Sequence, residues 1–122
     1  MSTKPPFSAE AIDSDQSNVQ VWRLTGKMMG GTCCYDFLET VRDNVAKGES
    51  QAVLEMSGVR FANSTGVGVL ASIFTAAKDA DGAMHLVGVN DRVQSVLKVI
   101  NLWYVVSTFD TMDEALASLG QG

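Results

Sequence analysis

The sequence is poor in the residues that most often advertise chemistry. It holds one histidine, two cysteines and two prolines among 122 residues. The two cysteines, Cys33 and Cys34, are neighbours. Adjacent cysteines have poor geometry for bridging each other. They also lack the C-x-x-C spacing of a redox motif or a zinc knuckle. Cys34 is expected to point inward as a small apolar side chain. The chain has no run of lysine and arginine, and its net charge is −5. A nucleic-acid surface needs clustered cations, so that class of partner is excluded. No apolar run reaches the roughly 18 residues that would suggest a membrane span, so no membrane insertion is expected. The opening MSTKPPFSAEAIDSD has no apolar core of the kind a secretory signal carries, and a cytoplasmic protein is expected.

The chain has the length and apolar content of one soluble domain, with 46% hydrophobic and 19% charged residues. At this size folding buries roughly two-thirds of the unfolded surface, enough for a core without metals or disulfides. Residues 1–17 read as a polar tail, with a short edge strand near Phe7 to Ile12 as its one regular element. A single domain is expected over residues 18–122. VQVWRLT has strand periodicity and is expected to turn at Thr25-Gly26. GKMMGGT reads as a loop, with Thr32 as the cap of the next helix. Apolar residues at Cys34, Phe37, Leu38, Val41 and Val45 fall on one helical face, closed by Lys47-Gly48. QAVLEM and AMHLVGV read as central strands, the second preceded by an Asp81-Gly82 turn.

A long helix is expected from Ser64 or Thr65 to about Ala80. Asn90 or Asp91 is expected to cap a further helix with Val93, Val96, Leu97 and Ile100 on one face. Asn101 is expected to end that helix in a left-handed turn. WYVVSTF reads as the last strand. Thr111 to Glu114 is a capping-box pattern that opens a final helix. Strands alternate with helices, which implies an α/β layer fold of about four to five mostly parallel strands and about four helices.

Most catalytic constellations are missing. His85 lies inside a strand pattern rather than at a strand end, where a triad histidine would face a cleft. A strand histidine that is satisfied or at the surface is the expected reading. No phosphate-cradling G-x-x-x-x-G-K-[ST] occurs, and Gly30-Gly31 is only a fragment of a nucleotide turn. No enzyme activity, cofactor or metal is expected. Met28 and Met29 suit either an adaptable contact surface or a place under the sheet edge.

The stretch RFANSTGVG, Arg60 to Gly68, stands apart. It follows a strand and opens a helix, beyond the carboxyl end of the sheet where functional groups collect in open α/β folds. Asn63 could cap the helix, and Ser64 and Thr65 would then lie where free amides and the helix dipole point outward. A phosphate on such a hydroxyl would be tolerated by the fold. A purely structural cap explains the same residues.

These residues resemble the STAS domain, of the bacterial anti-sigma factor antagonist type. VLEMSGVRFANSTGVGVL is similar to the family's strand, D-S-[ST]-G-[LVI]-G turn and helix. The resemblance covers about residues 18 to 119. It continues through GAMHLVGVNDRVQSVLKVINLWYVVSTFDTMDEALASL and, upstream, VWRLTGKM. It implies a non-enzymatic binding module whose partner is an anti-sigma factor that is also a serine kinase. That kinase phosphorylates the motif's first hydroxyl and so dissolves the complex; a PP2C-type phosphatase reverses the step. Carried onto this chain, the phosphoacceptor is Ser64, with Thr65 as second choice. The contact surface would comprise Lys27, Met28, Met29, Asn63, Ser64, Thr65, Gly66 and Val67. Two departures stand out. Asn63 replaces the family's aspartate, and GKMMGGTCC lacks the acidic residue many members carry after G-x-[LM]. The alternative is a constitutive STAS subunit, such as a stressosome-like scaffold or a component of a lipid-transport complex.

Overall fold

A computed structural model describes residues 7–120. Residues 1–6 of the expected tail lie outside the described residues. The tail's edge strand is present: β1, Phe7–Ile12, pairs antiparallel with β2, Val19–Met28. The remaining strands are β3, Gln51–Ala62; β4, Ala83–Val87; and β5, Ser107–Phe109. They join β2 in a five-stranded sheet of order β1-β2-β3-β4-β5, in which every pair beyond β1–β2 is parallel. Each parallel crossover carries one helix: α1, Thr32–Ala46; α2, Ser64–Asp79; and α3, Asp91–Val99. The last described element is α4, Met112–Gly120.

The two sheet faces are unequally covered. Leu24, Leu54, Met56, Met84 and Leu86 share a large core with Phe37, Val41, Leu70, Ile73 and Leu97 from α1, α2 and α3. The opposite face holds a small cluster of Val19, Val21, Val53, Val87 and Ala115 under α4. Central β3 therefore buries both faces, which is why Ala52, Val53 and Leu54 are continuously apolar rather than alternating. Each fully buried leucine adds about 1.5–3 kcal/mol.

Five local expectations need correction. β2 does not turn at Thr25-Gly26 but runs on to Met28, absorbing register shifts against β3 after Arg23 and Gly26. β3 likewise extends through Arg60 and Ala62, so the connection from β3 to α2 is one residue, Asn63. Thr32 is the first residue of α1 rather than its cap; Gly31 holds that place at φ 84°, without a side-chain bond. WYVVSTF is not one strand. Asn101 turns the chain at φ 63° as expected, but Leu102–Tyr104 then forms a short 3-10 turn that buries Leu102. Only Ser107–Phe109 pairs with β4. Ile100, placed on the buried face of α3 by periodicity, is 46% exposed because the helix has ended at Val99. The capping box at Thr111 and Glu114 forms in both directions.

Candidate functional site

The site is built where β2 and β3 end side by side. Asn63 follows β3 directly and has extended backbone, φ −87° and ψ −178°. Its Oδ1 accepts from the Gly66 N–H at 2.8 Å, which caps α2. Its Nδ2 donates to the Met29 carbonyl at 3.2 Å. Its own N–H donates to the Met28 carbonyl at 3.1 Å. One residue thus ties the start of α2 to the segment leaving β2.

That segment lies against the first turn of α2. A β-carbon on Gly66 would fall 1.9 Å from the Met28 carbonyl oxygen, so only glycine fits. Gly30 has φ +86°, and a β-carbon there would meet the Thr65 methyl at 2.5 Å. Both glycines allow backbone and helix to touch. Ser64 and Thr65 are exposed, while Asn63 is half-buried. The first helical bond runs from the Val67 N–H to the Asn63 carbonyl at 2.9 Å. The Ser64 and Thr65 amides precede it and belong to the helix's free N-terminal donors. The first turn of α2 carries no acidic residue.

The structure therefore brings together the loop and helix start that lie far apart in the sequence, but it divides the expected contact residues. Lys27, Met29, Ser64 and Thr65 are exposed. Met28 is fully buried and Val67 is 2% exposed, so neither side chain can meet a partner. Their apolar side chains pack into the large core, and Gly66 is buried beside them. Tyr35, in the first turn of α1 after the loop, is 49% exposed beside 45% for Met29. Sequence reasoning passed over Tyr35 because helical spacing reports which residues face inward, not what an outward aromatic is for. GKMMGGT, read only as a loop, did not suggest that Gly30 meets the first turn of α2. The signal was a glycine pair between a strand and a helix, and both residues adopt positive φ.

Cys34 is buried, as expected, and burial pushes its thiol up. Cys33 is exposed. His85 is buried in β4, and its Nε2 lies 2.8 Å from Gln51 Oε1. Burial lowers its pKa, so the ring is neutral near pH 7. It is neither at the surface nor fully satisfied, since Nδ1 has no partner among the described residues. Among the described residues no helix is long and apolar enough to cross a membrane.

Comparison with known proteins agrees with the fold. The sequence profile of the STAS domain family matches residues 13–115. A candidate anti-sigma factor antagonist of Thermotoga neapolitana is 36% identical over 70 residues, 57% of this chain and 62% of that protein. The match thus spans less than two-thirds of that curated relative. Among solved structures, a candidate anti-sigma factor antagonist of Thermotoga maritima superposes with a TM-score of 0.76 at 26% identity, over 91% of this chain and 93% of the other. The anti-sigma factor antagonist SpoIIAA in its unphosphorylated form superposes with a TM-score of 0.81 at 16% identity, over 94% and 98%. At that identity the likeness to SpoIIAA is one of fold. The profile match over most of the chain, together with the mostly parallel five-stranded sheet, places it in the STAS domain family.

Proposed function

We propose that this chain is a phosphorylation-switched anti-sigma factor antagonist. It is a binding module rather than an enzyme, and it works in the cytoplasm. Unmodified, it captures an anti-sigma factor that is also a serine kinase. The kinase transfers a phosphate to Ser64, the complex separates, and a PP2C-type phosphatase restores the free form. The docking surface is Lys27, Met29, Tyr35 and the Asn63–Thr65 turn.

The observation that carries this reading is the exposed Ser64 at the first position of α2, next to Asn63, whose side chain is tied to the exposed Met29. A phosphate there adds about −1.5 to −2 charges at neutral pH. The folded chain can accommodate it, because the helix dipole favours an anion and no carboxylate occupies that turn. A docked complex cannot do so cheaply. It would have to strip water from a dianion at the interface, and any acidic partner group nearby would repel it. The switch therefore acts on binding and leaves the fold intact. Ser64 is favoured over Thr65 because the Thr65 methyl is packed at Gly30.

The test is phosphopeptide mass spectrometry of the protein isolated from its own cells, across growth and stress. A phosphate on Ser64 that varies with condition is expected. A phosphate on Thr65 would move the site by one residue. No phosphate under any condition would sink the switch and favour a constitutive STAS subunit. With the kinase in hand, Ser64→Ala should bind and Ser64→Asp should bind far more weakly; equal affinities would contradict the mechanism.

A further inference from the structure

We propose that Asn63 is the positioning residue of this surface, a two-sided latch that fixes the Met28–Gly31 segment to the first turn of α2. Its significance for partner binding rests on the function proposed above; the latch itself does not. A capping residue needs only an acceptor, and Asn63 Oδ1 supplies that to the Gly66 N–H. The amide's other end is a donor, and it reaches the Met29 carbonyl 34 positions back in sequence. An aspartate at this place would keep the acceptor and lose the donor. Its second oxygen would then face a carbonyl oxygen at hydrogen-bond distance, a contact that repels. The asparagine is therefore specific to a closed loop. The rest of the contact is shaped to match it: Gly66 admits the Met28 carbonyl, and Gly30 admits the Thr65 methyl. With the latch closed, the exposed Met29 side chain is held beside the Ser64 hydroxyl as one rigid patch, and less ordering remains to be done on binding.

Two backbone amides report the two ends of the latch separately. The residue 63 N–H bonds to the Met28 carbonyl and is freed when the segment lifts. The residue 66 N–H bonds to the cap acceptor. Amide hydrogen exchange would be followed by NMR in the full chain and in Asn63→Asp. We expect the residue 63 amide to exchange about tenfold faster in the variant, the loss of roughly one net hydrogen bond. The residue 66 amide should stay near its original rate, because the carboxylate still caps. Asn63→Ala should speed both. Asn63→Ser, which caps without reaching the Met29 carbonyl, should behave like the aspartate variant and serves if that one folds poorly. Heteronuclear NOE values at Met29 to Gly31 should fall in Asn63→Asp, which loss of a cap alone would not cause. Unchanged exchange at residue 63 in Asn63→Asp and Asn63→Ser would overturn the latch. A latch confirmed in a protein never phosphorylated at Ser64 would instead remove the switch and leave the positioning role standing.

Discussion

Helices α2 and α3 begin from the same device and are put to different ends. Asn63 and Asn90 each cap the helix that follows, accepting from Gly66 and Val93. Each also donates to a distant backbone carbonyl, Met29 just past β2 for Asn63 and Val59 within β3 for Asn90. From the next residue the two diverge. α3 continues with Asp91, which supplies its own negative charge to the helix dipole. α2 continues with Ser64 and Thr65 and has no acid in its first turn. At the third helical position α3 buries Val93, whereas α2 has Gly66 pressed against the Met28 carbonyl. One start is complete in itself. The other has an open hydroxyl, vacant dipole charge and a loop folded tightly beside it. Identical capping thus says little about function; what surrounds the cap does.

The largest effect should come from the third position. A Gly→Ala change inside a helix ordinarily stabilises by up to about 1 kcal/mol. Gly66→Ala should instead destabilise by about 3 kcal/mol or more, because the new methyl meets backbone rather than a movable side chain. Val93→Ala should cost about 2 kcal/mol for the opposite reason, an emptied core position. Urea unfolding midpoints compare the two. A Gly66→Ala midpoint at or above the parent's would mean that the loop moves aside freely, and the contrast between the helices would collapse.

Next come the caps. Asn90→Ala should lose about 2–3 kcal/mol and Asn63→Ala about 1–2 kcal/mol. The difference arises because Val59, whose carbonyl loses its donor, is fully buried, while Met29 is 45% exposed and its carbonyl lies nearer water. Thermal or urea unfolding of the pair tests the order; the reverse order would show that the Met29 tie bears more than exposure suggests.

The smallest effect is electrostatic and should have opposite signs at the two helices. Ser64→Asp should stabilise, and Asp91→Asn destabilise, each by about 0.3–1 kcal/mol at low salt. Both differences should shrink in about 1 M salt, where screening acts within roughly 3 Å. Loss of stability in Ser64→Asp would mean that the first turn of α2 does not accept an anion, which would weaken the phosphate reading directly.

Much of this was legible in the chain's own order of residues. Alternating strand and helix patterns, the Thr111–Glu114 box and the Asn caps are local signals, decided within a few residues of backbone. So is the exposure of Ser64, which follows from a cap one position earlier. The errors fell where tertiary contact decides. β2 and β3 run past their apolar cores because each pairs with the other along its length, overriding turn-prone glycines at 26 and 58. WYVVSTF has strand composition but sits at a sheet edge, with a single strand to pair with and Leu102 drawn inward.

The sequence by itself determined the fold class and offered Asn63 as a cap with a hydroxyl after it, because periodicity and capping act over a few residues. Only the tertiary structure decided which members of the expected contact surface are available. Met28 and Val67 are spent on the core, and Met29 and Tyr35 are left outside. It also decided that Asn63 serves two partners at once. The donor half of its amide finds the Met29 carbonyl only because the parallel pairing of β2 and β3 ends both strands at the same level, with Met28 opposite Ala62. No spacing rule along the chain carries that information, since it is created by the sheet.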